Sequence, residues 1–236
     1  MAHSAGVVDK EGISIERYDR ALGALTQEEL TALREKRACI VGCGGLGGYV
    51  LEMLARAGVL NITVADGDVF AESNLNRQIL CTESNIGALK IESAIKRVRK
   101  INTEVAISAL AEYVNEDNAM EILSGHDVII DALDNVDSRL LIERFAETLN
   151  IPLIHGAMQD WVAHIAVVMP GDKTLTKLYG AFHPPPPAVP SFTPAFCAAI
   201  QVSETIKLLC GKKTLESGKV LLFDLYDNSM NIITVT

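Results

Sequence analysis

The chain has 236 residues, 49% of them hydrophobic and 22% charged. That is ordinary globular composition, and it excludes disordered, collagen-like and coiled-coil architectures. With 21 Lys and Arg against 30 Asp and Glu the net charge is −9, which disfavours nucleic acid as a partner because phosphate neutralisation needs a basic face. Apolar runs such as Ile165–Met169 and Ala195–Ile200 fall far short of the roughly 20 residues that span a bilayer. No apolar segment follows the polar start Met1–Ile15, so no secretory leader is expected. Cys39, Cys43, Cys81, Cys197 and Cys210 are odd in number and lack C-x-x-C spacing. Reduced thiols in a cytoplasm, and no four-cysteine zinc, are the expectation.

In chain order, residues 1–16 are mixed and polar and read as a tail or short helix. Residues 26–36 predict a helix, because Thr26 and Glu29 have capping-box spacing. A short buried strand follows at Ala38–Val41. Helices are then predicted over Leu46–Ala57, Ile86–Ile101, Glu116–Leu123 and Ser138–Leu149. Strands are predicted at Ile62–Asp66, Val105–Leu110, Asp127–Ala132, Pro152–Gly156 and Ala163–Met169. Short apolar strands alternating with helical segments imply right-handed βαβ units and a doubly wound, mostly parallel sheet with helices on both faces. The period is lost from Gly171 to Pro194, where four consecutive prolines, Pro184–Pro187, imply an extended loop. A loop of that length is often functional. Helix returns over Ala195–Leu209. Val220–Leu225 and Asn231–Val235 predict a terminal antiparallel hairpin turning at Tyr226–Ser229. With no linker in view, residues 17–236 read as one domain behind a 1–16 tail, with 171–194 as a crossover loop.

The first strand runs into Gly42-Cys43-Gly44-Gly45-Leu46-Gly47, a G-x-G-x-x-G pattern. The first glycine suits a tight turn, the second a phosphate approached by backbone, the third close packing of helix on strand. The helix N-terminus then aims its amides at that phosphate. Asp66 ends the second strand, where an acid can bond a ribose hydroxyl, and Asp68 stands two residues on as an alternative. The polar, cationic stretch Ser73-Asn74-Leu75-Asn76-Arg77-Gln78 and Gly87-Ala88-Leu89-Lys90 suits a triphosphate better than a hydride carrier, because its charge must be neutralised. Asp131-Ala132-Leu133-Asp134-Asn135 closes the fourth strand, where a carboxylate can hold Mg²⁺.

Taken together, these segments resemble the ThiF/MoeB/HesA family, the bacterial relatives of ubiquitin-activating enzymes. Arg17-Tyr18-Asp19-Arg20, Pro152–Ala157 and the late helix with Glu204, Ile206 and Lys207 extend the resemblance over residues 17–236. It implies a Rossmann-like domain that uses Mg·ATP to adenylate the C-terminal Gly-Gly carboxylate of a small ubiquitin-like sulfur carrier protein. It further implies Gly42, Gly44, Gly45 and Gly47 at the phosphates, Asp66 or Asp68 at the ribose, and Arg77 and Lys90 on phosphate. Asn74, Gln78 and Asn135 would assist, and Asp134 would hold Mg²⁺. Arg20 would reach the neighbouring subunit's ATP, which implies a homodimer. Bland alternatives stand beside these roles: Lys90 as one of several exposed lysines, Arg77 paired with Glu72 or Glu83, and Asp134 as a helix cap. Many relatives carry two C-x-x-C pairs for zinc. Here Lys173–Tyr179 stands at the first place and only Cys210 at the second, so no zinc is expected. Cys197 reads as a packing cysteine, His155 as a buried, satisfied histidine, and Trp161 as a packing or dimer contact.

Overall fold

The computed structural model describes residues 16–180 and 188–235. The N-terminal tail and Pro184–Pro187 lie outside the described residues. A 3-10 turn at Glu16–Ala21 precedes α1 (Gln27–Leu33), whose N-terminus carries the full Thr26–Glu29 capping box. The elements that follow are β1 (Arg37–Val41), α2 (Gly47–Ala57), β2 (Asn61–Ala65), α3 (Lys90–Ile101), β3 (Ala106–Leu110), α4 (Ala119–Leu123), β4 (Val128–Asp131) and α5 (Val136–Leu149). Then come β5 (Leu153–Gln159), β6 (Val162–Val168), α6 (Thr174–Tyr179), α7 (Phe192–Leu209), β7 (Lys219–Asp224) and β8 (Ser229–Thr234).

All eight strands join one sheet in the order β3-β2-β1-β4-β5-β6-β7-β8. β3, β2, β1, β4 and β5 are mutually parallel, and β6, β7 and β8 continue antiparallel. One face is covered by α2, α3 and α7 through Leu46, Val50, Leu54, Val98, Cys197 and Val202. The other is covered by α4, α5 and α6 through Ile122, Ile142, Ala146, Leu175 and Tyr179. Apolar residues at both faces explain why β1 and β4 read as continuous apolar runs rather than alternating ones. The chain leaves β1 for β2 on one side and returns to β4 on the other. The C-terminal ends of β1 and β4 therefore flank the crevice where open α/β sheets bind ligands.

Several predicted boundaries move. The helix expected from Ile86 begins at Lys90, because Phe70 exchanges backbone bonds with Gly87 and Ala88 (2.8 and 3.0 Å) and holds that stretch extended. The helix expected from Glu116 begins at Ala119, since the Asn115 side chain accepts from the amides of Asp117 and Asn118 and closes a local turn instead. The loop expected over 171–194 contains α6, and α7 starts at Phe192 rather than Ala195. Pro194 is tolerated there because the first helical turn needs no N–H from it. The hairpin turn is tighter than expected, with β8 beginning at Ser229 after Asn228 in a left-handed conformation (φ 59°).

Candidate nucleotide site

β1 delivers the chain into the glycine turn. At Gly42, φ is +96° and a β-carbon would stand 2.6 Å from the Ala132 carbonyl oxygen, so the position requires glycine. Gly44 and Gly45 differ. A β-carbon on either would meet only the side chains of Gln78 (3.5 Å) or of Arg77 and Pro194 (3.7 Å and beyond). Their bareness opens the turn to a ligand instead of relieving a clash. α2 starts without a side-chain cap at Leu46, leaving its first amides without a side-chain acceptor and the dipole end positive.

Asp66 leaves the end of β2 and is 8% exposed. Its carboxylate accepts from the Cys43 amide (2.6 Å) and the Asp68 amide (2.8 Å), so it braces the glycine turn while keeping lone pairs for a ribose hydroxyl. Lys90 opens α3, yet it is only 6% exposed. Its ammonium sits 2.8 Å from Asp68 Oδ2 and 3.9 Å from Asp66 Oδ2. Lys90 is thus not one of a row of solvated lysines. Tyr113, from the loop after β3, donates to Asp68 and lays its ring across Gly67. Burial pushes the Asp68 carboxyl up, but Lys90 and Tyr113 outweigh it and the group lies below the usual range. No spacing in the sequence pointed to Tyr113.

Arg77 is half-buried beside Gly45 and donates to the Ser73 carbonyl (2.8 Å) and Asn76 Oδ1 (3.0 Å). Among the described residues it makes no ion pair with Glu72 or Glu83. Asn74 closes the same turn, its Oδ1 accepting from the Ala71 amide (2.9 Å). Gln78 is buried beside Gly44, and among the described residues its Oε1 has no hydrogen-bond partner, an orphaned acceptor where a ligand donor fits. Asn76 Nδ2 donates to the Val189 carbonyl (3.1 Å) and ties this turn to the end of the crossover.

Asp134 is exposed, and among the described residues its one hydrogen bond comes from Asn135 Nδ2 at 3.4 Å. The cap of α5 is Asn135, which accepts from the Ser138 amide (2.9 Å), so Asp134 does not cap that helix. Among the described residues no group of three His, Cys, Asp or Glu could hold a metal ion. One carboxylate with substrate phosphates is an ordinary Mg²⁺ arrangement, and the exposed Asp134 fits it. Arg20 is exposed, and among the described residues no hydrogen bond or ion pair joins it to these groups. The neighbouring Tyr18 packs against Gly58 at the far end of α2 and accepts from Asn102 Nδ2 (3.1 Å).

Cys39, Cys43 and Cys197 are fully buried, and burial pushes each thiol up to about 12. A groove of about 610 Å³ opens at the C-terminal end of β5, lined by Trp161, His164, Tyr179, Leu222, Asp224 and Tyr226. No described helix is long and apolar enough to cross a membrane.

Residues 18–236 match the ThiF family. The chain is 33% identical over 238 residues to the sulfur carrier protein adenylyltransferase of Thermus thermophilus, covering 94% of this chain and 87% of the relative. It is also 33% identical over 150 residues to the tRNA threonylcarbamoyladenosine dehydratase of Haemophilus influenzae, at 61% and 58% coverage. Its fold superposes on E. coli MccB with ATP at a TM-score of 0.81 and 21% identity, over 94% of this chain and 72% of that one. With its glycine turn, Asp66, Lys90 and Asp134 gathered at the ends of β1, β2 and β4, and with a family match running from Tyr18 to Thr236, the chain belongs to the ThiF family.

Proposed function

We propose that the protein is an adenylyltransferase that uses Mg·ATP to activate the C-terminal Gly-Gly carboxylate of a small ubiquitin-like sulfur carrier protein. The observation that carries this reading is Lys90: a cation 6% exposed, held between Asp66 and Asp68 beside an uncapped helix N-terminus. A nicotinamide dinucleotide site has no use for that charge; a triphosphate has. RNA as the substrate is disfavoured by the net charge of −9.

A carboxylate oxygen of the carrier attacks the α-phosphorus, the bond from that phosphorus to the bridging oxygen breaks, and pyrophosphate leaves with the electron pair. The product is an acyl-adenylate with a good leaving group. Asp66 holds the ribose, the amides of the glycine turn through Gly47 at the start of α2 receive phosphate oxygens, and Gln78 Oε1 accepts from the nucleotide. Lys90 and Arg77 spread the charge developing on pyrophosphate, a contribution made by fixed groups that need no reorganisation. Asp134 would hold Mg²⁺, which would supply further charge compensation on the phosphates. The groove beside Tyr179 gives the carrier an apolar face to rest on, close to the Asp134 loop.

Arg20 acts in trans in a homodimer. α2 separates the Tyr18 anchor from the glycine turn of its own subunit, and its 11 residues rise about 16 Å. A guanidinium there has no short route to its own site. The cytoplasm, with its reducing poise, suits five cysteines in no paired spacing.

Carrier-dependent ATP–pyrophosphate exchange tests the reading. Wild-type protein should exchange with a cognate carrier, and Asp134→Ala should fold yet lose about 10²–10³ in rate. Exchange by the variant at wild-type rate would remove the metal role, and micromolar NAD binding without ATP binding would remove the whole reading.

A further inference from the structure

Beneath the loop that carries Asp134, four buried side chains from four elements form a closed circuit. Asp131 (end of β4) and His155 (β5) are fully buried, and Arg139 (α5) and Tyr179 (end of α6) are each 7% exposed. His155 Nδ1 lies 2.6 Å from Asp131 Oδ2, and His155 Nε2 lies 3.1 Å from the Tyr179 hydroxyl. Arg139 Nη1 donates to that hydroxyl at 3.2 Å, with the Tyr179 ring 5.5 Å from the guanidinium carbon. Arg139 Nε stands 3.6 Å from Asp131 Oδ2.

Hydrogen positions follow from these contacts. Asp131 only accepts, so His155 carries its proton on Nδ1, and Nε2 must accept from Tyr179. The Tyr179 oxygen is then left to accept from Arg139, which only donates. Burial lowers the His155 ring towards neutrality and pushes the Tyr179 hydroxyl up to about 12, so both stay in these forms. Every bond has one direction, from Arg139 through Tyr179 and His155 to Asp131, and the two charges at its ends cancel.

Both ends of that circuit grip one residue, Leu133, Asp131 through the peptide before it and Arg139 through the peptide that leads into Asp134. The Leu133 amide donates to Asp131 Oδ1 at 3.0 Å, and the Leu133 carbonyl accepts from Arg139 Nη2 at 2.6 Å. Leu133 immediately precedes Asp134. One turn further along α5, buried Glu143 accepts from the amides of Leu175 and Thr176 (2.5 and 2.8 Å) and so fixes the start of α6, the helix that brings Tyr179 into place. The same face of α5 therefore holds the Asp134 loop with one residue and the helix leading into the crossover with the other.

We infer that Arg139 is a positioning residue that sets the Leu133–Asp134 peptide for magnesium-bound nucleotide, with Tyr179 and His155 fixing the guanidinium in turn. This rests on the reading of Asp134 as the magnesium carboxylate. Partners behind a metal ligand typically change metal affinity or activity by about 10–100-fold.

The test is calorimetry on the full chain with the α,β-methylene analogue of ATP, once in EDTA and once in magnesium chloride. Arg139→Lys keeps the charge but loses the planar fork that reaches both Leu133 and Tyr179. Tyr179→Phe keeps the ring and loses the hydroxyl, and it carries the test if Arg139→Lys does not fold. Each folded variant should bind the analogue in EDTA within about two-fold of wild type, and Arg139→Lys should lose about ten-fold of the gain that magnesium gives wild type, with Tyr179→Phe in the same direction. A purely structural role would lower the melting temperature and leave that gain intact. Folded variants with the full wild-type gain overturn the inference. A wild type that gains nothing from magnesium overturns it together with the role of Asp134. A wild type that gains from magnesium but exchanges pyrophosphate with no carrier overturns the substrate reading alone and leaves the positioning role to be decided by the variants.

Discussion

Gly47 packs so closely under Gly42 that a β-carbon on it would stand 2.0 Å from the Gly42 carbonyl oxygen and 3.2 Å from Ala132 Cβ. The oxygen belongs to a backbone turn pinned between β1 and the Ala132 peptide, so neither partner can yield cheaply. Gly47→Ala should therefore destabilise the protein by about 1–3 kcal/mol, a fall of roughly 2–12 °C in melting temperature. Gly44→Ala meets only the flexible end of Gln78 at 3.5 Å. It should melt as wild type does and weaken ATP binding in calorimetry. Equal melting temperatures for the two variants would contradict the distinction.

Asp134 and Asn135 are neighbours with separable duties. Asn135 caps α5 through Ser138, so Asn135→Ala should lose about 1 kcal/mol in urea denaturation. Among the described residues the one hydrogen bond of the Asp134 side chain is with Asn135, at 3.4 Å, and Asp134→Ala should unfold at the wild-type midpoint. A stability loss confined to Asp134→Ala would reverse the assignment.

Stability should fall below neutral pH through His164. Burial first, then the neighbouring His155 and Arg139, lowers its pKa from 6.5 to about 3. The folded state thus favours the neutral ring. Its contribution is whole above the unfolded value of 6.5 and is lost as pH falls towards 3, at up to about 1.4 kcal/mol per pH unit. His164→Gln should lose less stability than wild type between pH 7 and pH 5, by at most about 2 kcal/mol, in urea melts at the two pH values. Parallel losses in both proteins would rule the ring out as the source.

Arg20→Ala and Lys90→Ala subunits, each inactive alone, should complement when mixed. Statistical mixing makes about half of the dimers mixed, each with one site that is wild type at both positions, which gives up to about a quarter of full activity. Differently tagged subunits verify exchange. Background activity after verified exchange, or full activity from a monomer, would end the trans role.

Local chemistry made much of this legible. The Thr26–Glu29 capping box, the alternation of short apolar strands with helices, and the glycine turn ahead of α2 all depend on residues close in sequence. α6 was hidden for the opposite reason. Its N-terminal amides are capped by Glu143, 32 residues before Leu175, so no local cap announced a helix. The sequence offered Lys90 as a phosphate contact with a row of exposed lysines as the bland alternative, and only the approach of Asp66 and Asp68 after β2 shows it to be internal. The Asp131–His155–Tyr179–Arg139 circuit joins four elements without a characteristic spacing. One trace was available: Arg139 and Glu143 lie four apart on the face of α5 that also carries Ile142 and Ala146 into the core, and two charges there demand buried partners.

β8 has a consequence for handling the protein. It is the last strand of the sheet, and Ser229–Thr234 carries no charge and no proline, with Met230 and Ile232 61% and 52% exposed. An edge with open donors and acceptors and no gatekeeper is a template for another strand. Self-association of concentrated protein should start along this border, through backbone ladders indifferent to ionic strength, and a lysine in place of Ile232 would blunt it without reaching the candidate nucleotide site at the other half of the sheet.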